Sequence, residues 1–208
     1  MRSREDILKS VRANKPAAVS LPVIDMAKVT VYEDVTSQFK EIVKSIGVRV
    51  FEAADENDVH CFIDTQRRKR ETVLNVADDT DASLRRSDAR QLAMIDVAVI
   101  RGAVAVAENG AIWIDEKQMR NRLLPFICQH LVLVVYKKDI VATMHHAYKR
   151  IDIDKEGFGV FISGPSKTAD IEQSLVIGAH GPVSMDVCLV GDGHTDECAD
   201  SACLQPET

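Results

Sequence analysis

The order of hydrophobic patterns in this chain predicts an α/β protein with a mostly parallel sheet, flanking helices and an inserted antiparallel hairpin. Three observations predict it. Helical and strand periodicities alternate from residue 34 onward. LVLVVY at 131–136 is a continuous apolar, β-branched run of the kind buried on both faces of a parallel sheet. Between two β-rich stretches, Asn109-Gly110 suits a two-residue hairpin turn, because both positions tolerate positive φ.

Taken in order, Val35, Phe39, Ile42, Val43 and Ile46 fall at helical spacing and Gly47 stops the helix, which leads into a strand at VRVF, 48–51. Asp55 opens a second helix with Val59, Phe62 and Ile63 on one face, and TVLNV at 72–76 has strand composition. The polar stretch 80–90 reads as a loop or a short exposed helix. Residues 96–114 read as antiparallel strands set into the parallel scheme, and the run at 131–136 as its central strand. Ile140, Met144, Ala147, Tyr148 and Ile151 predict another amphipathic helix, GVFIS at 159–163 a buried strand, and Ile171, Leu175 and Val176 the face of a third helix. VCLV at 187–190 then closes the sheet. The expected organisation is a helical extension at 1–33, one α/β domain at 34–190, and a polar, poorly ordered tail at 191–208.

With 208 residues, 46% of them hydrophobic, the chain has material for one sizeable core, and no apolar run approaches the roughly 18 residues that span a bilayer. The N-terminus lacks the apolar stretch of a secretory signal, so a cytoplasmic protein is expected. A net charge of −6 argues against nucleic-acid binding through a general positive field, and the basic run Arg67, Arg68, Lys69 and Arg70 reads as a solvated helix end or loop. Cys61, Cys128 and Cys188 read as reduced core thiols. His194, Cys198 and Cys203 on the tail lack a fourth ligand and a C-x-x-C pair, and so fall short of a zinc site. No C-x-x-C-x-x-C run is present for a ferredoxin-type cluster, and no G-x-G-x-x-G fingerprint for a dinucleotide. No metal and no cofactor is therefore assigned to this chain.

Chemistry concentrates at 162–182, read as a strand passing through Gly164-Pro165 into a helix. Gly164, Ser166, Lys167, Thr168, Asp170 and Glu172 are its candidate substrate-binding residues, with first-turn amides favouring an anion. The spacing is wrong for a Walker A loop, since Pro165 and Ser166 intervene between Gly164 and Lys167. The plainer reading is that Ser166 or Thr168 caps the helix while Asp170 and Glu172 favour its positive end. His180, in a glycine-flanked turn, and Glu108, beside the hairpin turn, are the candidate catalytic residues; a structural role in each turn is the alternative. Arg120 and Arg122 are candidates for a carboxylate clamp, and His145 and His146 read as solvent-facing.

SGPSKTADIEQSLVIGAHGP, together with the Glu108-Asn109-Gly110 strand pair and LLPFICQHLVLVV at 123–135, resembles the lactate-utilization (LUD-domain) family in its LutC/YkgG branch, over residues 35–190. The chain departs from the family at Ala111, where Thr is commoner, and near Ser174, where Arg is frequent. The resemblance implies a fold like the ribose-phosphate isomerase and CoA-transferase group (NagB/RpiA/CoA transferase). It also implies a part in oxidising L-lactate to pyruvate beside iron-sulfur protein subunits that carry the electrons. This chain would then bind a small carboxylate substrate through Lys167, Thr168 and His180. The competing expectations are a stand-alone acyl-transfer or ATP-dependent ligase enzyme using Glu108, and a regulatory or scaffold protein.

Overall fold

The computed structural model describes residues 3–17, 19–20, 22–69, 72–77, 87–171, 174–178 and 180–191. Asp34 starts α2 (Val35–Ser45) by accepting from the amides of Thr36 and Ser37. From α2 the chain passes into β1 (Arg49–Ala53), α3 (Glu56–Lys69) and β2 (Val73–Asn75). After the short α4 (Ala89–Leu92) come β3 (Val97–Arg101), β4 (Val104–Val106), β5 (Ile112–Asp115), α5 (Glu116–Met119) and α6 (Leu124–Ile127). The remainder is β6 (His130–Tyr136), β7 (Ile140–Val141), α7 (Met144–Arg150), α8 (Ile153–Glu156), β8 (Gly159–Ile162), β9 (Lys167–Ile171), β10 (Ser174–Ile177) and β11 (Ser184–Val190). An N-terminal α1 (Arg4–Ala13) precedes all of these and buries none of its residues.

Five strands form a parallel sheet in the order β1-β11-β6-β3-β2, so β6 is central as its composition predicts. VCLV does not close that sheet: β11 lies between β1 and β6, and the edges are β1 and β2. Both faces are apolar, as two-sided burial demands. Phe51, Val99, Val132, Val134 and Cys188 pack under Val59, Phe62 and Ile63 of α3. Ile100, Leu131, Leu133, Val187 and Leu189 face Phe39 and Val43 of α2, together with Leu92 and Leu124. Burial pushes the Cys128 and Cys188 thiols up to about 12, which makes them inert core residues; Cys61 is instead exposed on α3.

The hairpin expected inside the sheet belongs to a second one, ordered β7-β4-β5-β8, in which β4 pairs antiparallel with β5 and parallel with β7. Gly102 is the crossing point. Its amide still donates to Val134 of the first sheet, and a Cβ there would lie 2.5 Å from the Ile112 side chain of the second. β8 is therefore the half-buried edge of this sheet, paired with β5, and not a buried parallel strand.

Two helical expectations are corrected. Ile140-Val141 is a strand, and the helix begins only at Met144. Beyond Gly164-Pro165 the chain forms no helix but the antiparallel hairpin of β9 and β10. The helix-mouth anion site predicted for Ser166, Lys167 and Thr168 therefore does not exist, because a hairpin has no aligned first-turn amides. The tail at 192–208, with His194, Cys198 and Cys203, lies outside the described residues. Among the described residues no helix is long and apolar enough to cross a membrane.

Candidate functional site

The segment after β8 meets the Glu108 turn at one bond: the Ser163 hydroxyl donates to the Asn109 carbonyl at 2.8 Å. Both stretches rest on the C-terminal end of α2. Gly110 (φ 69°) sits against Val43, Ile42 and Ile46, where a Cβ would come within 3.0 Å of the Val43 side chain, and Gly164 (φ 85°) lies against Ile46. The Lys167 ammonium donates to the Ile46 carbonyl, a favourable place for a cation at a helix C-terminus. Ser166 donates its amide to Pro182 and accepts from the amide of Gly178, both at 3.0 Å, which closes the exposed His180 loop onto the same segment.

Gly164, Ser166 and Lys167 thus share one surface with the Asn109-Gly110 turn, and the His180 loop is tied to it. Thr168 and Asp170 lie on β9, while Glu172 falls outside the described residues. Among the described residues neither the Glu108 carboxylate nor the His180 ring has a hydrogen-bond partner, so no hydrogen bond joins the two predicted catalytic side chains directly.

Glu108 faces a different set of groups. The amides of Ala107 and Glu108 donate to Val141 and Ala142 at 2.8 and 3.1 Å, which places Glu108 beside Thr143 at the carboxyl ends of the parallel pair β4 and β7. Strand ends of this kind are where open α/β folds gather ligands. A cleft of about 420 Å³ opens there, lined by Glu108, Thr143 and His145 and, from the strap that precedes α2, by Asp25, Lys28 and Thr30. Asp25 caps the turn Met26–Lys28 and lies 3.5 Å from the Lys28 ammonium. The buried Thr143 hydroxyl is 2.9 Å from Nδ1 of His146. A carboxylate, an imidazole and hydroxyls around one opening can bind a small polar ligand and exchange protons with it.

Sequence reasoning missed these neighbours of Glu108 in the cleft. His145 is exposed as expected but lines the cleft. The available signal was the β-branched pair Ile140-Val141 ahead of Thr143, masked by apolar residues at helical spacing. A second miss is the polar set at the amino edge of the parallel sheet, Arg49, His130, Ser184 and Asp186. Of the two arginines proposed as a clamp, Arg122 is already forked onto Glu116 by two bonds of 3.0 Å and lies over the Phe158 ring. Nε of Arg120 is buried without a partner among the described residues.

At the sheet's opposite, carboxyl edge, Arg101 binds Glu56 and the Tyr136 hydroxyl, and burial together with Glu56 pushes that hydroxyl's pKa up. Nearby, Lys137 and Lys40 hold the Glu52 carboxyl below its ordinary range. Among the described residues no group of three His, Cys, Asp or Glu side chains is placed to hold a metal ion.

Comparison with known proteins agrees with this architecture. The crystal structure of a DUF162 family protein from Deinococcus radiodurans superposes with a TM-score of 0.55 at 17% identity, over 76% of this chain and 96% of that one, which shows a shared fold. Lactate utilization protein C of Shouchella clausii is 32% identical over 107 residues, 49% of this chain and 47% of that protein. The protein of the same name from Bacillus pumilus is 34% identical over 101 residues, 46% of this chain and 42% of that protein. The chain spans about half the length of the curated relatives it matches. The LUD domain model matches residues 27–190, from the strap before α2 to the last strand of the parallel sheet, and this chain belongs to the LUD-domain family.

Proposed function

We propose that this protein acts in lactate utilization, in the cytoplasm, as a non-redox, substrate-binding component of a system that oxidises L-lactate to pyruvate with iron-sulfur partner proteins. The observation that carries the reading is the similarity to proteins named lactate utilization protein C. The sequence has no C-x-x-C-x-x-C run and no dinucleotide fingerprint, which is why electron transfer is assigned to the partners. The small carboxylate is assigned to the surface where Gly164, Ser166 and Lys167 meet the Asn109-Gly110 turn, with Thr168, Asp170, Glu172 and His180 as further contacts.

The test is L-lactate-dependent dye reduction by the two iron-sulfur partners, with and without this chain. Activity should require the wild-type chain and fall at least tenfold in Lys167→Ala and His180→Ala proteins that melt normally. Dye reduction indifferent to the chain would remove it from the reaction.

The position of Glu108 in the cleft supports a second reading, acyl-transfer or ligase-type chemistry with Glu108 as nucleophile or base. A hydroxylamine-sensitive adduct on Glu108 is the expected result there, and an unchanged rate in Glu108→Gln would sink it. If both assays fail on a folded protein, the regulatory or scaffold reading is left.

A further inference from the structure

The amino edge of the parallel sheet carries a line of polar side chains that the lactate reading does not use. Ser184 and Asp186 lie two residues apart on β11, hence on one face, and His130 and Arg49 open the neighbouring strands β6 and β1 on that same face. The Ser184 hydroxyl is 2.6 Å from Nδ1 of His130, and Nε2 of the same ring is 3.0 Å from Asp186 Oδ2. Arg49 closes the line with two parallel bonds of 2.8 Å from Nε and Nη2 to the two carboxylate oxygens.

The directions of these bonds follow from the donors available. A guanidinium only donates, so both oxygens of Asp186 serve as acceptors, and the Nε2 hydrogen of His130 must point at Asp186. In the neutral ring Nδ1 is then the lone-pair nitrogen, and it faces the Ser184 hydroxyl. This is the arrangement of an activated serine: nucleophile, base, and a carboxylate that fixes the tautomer and stabilises the imidazolium, recognised by roles and not by chain order. His130 and Asp186 are fully buried, whereas Ser184 is only half-buried and follows the exposed Val183. The one group that must meet a substrate is therefore the one open to it.

We propose that Ser184, His130 and Asp186, braced by Arg49, form a nucleophilic site for small acyl esters or thioesters. Ser184 Oγ attacks the acyl carbonyl carbon while its proton passes to His130 Nδ1. The bond to the alcohol or thiol then breaks, the leaving group takes that proton, and water releases the acyl group from Ser184 by the reverse path.

The experiment is labelling of the full chain with a small alkyl fluorophosphonate followed by peptide mass spectrometry. The Oγ–P bond forms, fluoride leaves, and the hydroxyl proton goes to Nδ1. The wild type should carry the phosphonyl mass on the Ser184 peptide, Ser184→Ala should carry none, and His130→Gln should label at least roughly a hundredfold more slowly, the contribution typical of a general base. Because His130→Gln removes a buried contact, its melting curve is recorded beside the rate. If it does not fold, Ser184→Thr is the second variant: it keeps the hydroxyl but crowds it, and should label at least tenfold more slowly than wild type. An unlabelled wild type, label that persists in Ser184→Ala, or a folded His130→Gln that labels at the wild-type rate would reduce these side chains to a brace of the sheet edge.

Discussion

Arg120 is the only non-glycine among the described residues with positive φ, at 59° with ψ −42°. The amide of Asn121 donates to the Met119 carbonyl across it at 2.6 Å, a tight turn that crowds a Cβ. Arg120→Gly should relieve this and stabilise the fold by about 1 kcal/mol, read as a rise of roughly 2–4 °C in Tm. A drop would show that the side chain contributes more than its backbone strain costs. Asp186 presents the opposite case, a fully buried carboxylate whose two oxygens hold Arg49 and His130. Asp186→Asn keeps the shape but loses the charge-assisted bonds, and denaturant titration should show a loss of about 2 kcal/mol. Glu52 predicts an acid limb of stability. Its folded pKa is depressed by Lys137 and Lys40, so its contribution is present above the unfolded value and disappears as pH falls through the lower folded one. Glu52→Gln should flatten stability against pH in that acidic window, and an unchanged acid slope would show that other carboxyls set it. At this scale the sequence pointed to Glu108, Lys167 and His180 by residue type. It did not show the cleft beside Glu108, because Thr143, His145 and Lys28 reach it only through strand pairing and the course of the strap.

The elements the sequence revealed best are those whose neighbours merely confirm them. The helix of Phe39 and Val43 has a clear helical period, and the strand 131–136 is a short β-branched run whose composition suits a buried strand. The hairpin β9–β10 was misread because three apolar residues at 171, 175 and 176 satisfy helical spacing over a stretch too short to discriminate. β7 was absorbed into the helix after it for the same reason, since Ile140 sits four residues before Met144. Close packing between elements leaves its own trace in glycine. A Cβ on Gly159 would lie 2.1 Å from the Trp113 ring, which also packs on Phe161 at 4.8 Å and donates to Glu156 at 3.1 Å. Gly159→Ala should destabilise by roughly 2 kcal/mol and red-shift the emission of this single tryptophan as its ring is displaced. Unchanged emission would mean that β8 yields instead of the ring.

For the molecule as a whole, α1 buries no side chain and precedes the region shared with the family. Removing residues 3–17 should leave Tm within roughly 2 °C, the behaviour of a segment that contributes no core. A larger loss would reveal that α1 supports the body. Residue pattern alone determined the α/β class, the central place of the β6 run, the apolar faces of α2 and α3, and the family signature, because each rests on chemistry repeated at short range. Tertiary structure decided that the strands divide between two larger sheets and a separate two-stranded hairpin, and that Glu108 shares a cleft with His145. It also decided that a serine, a histidine and an aspartate lie in line at the sheet edge. Those facts depend on which strands become neighbours, and pairing between residues more than 30 positions apart is set by the packing of the whole core and leaves no local period to read.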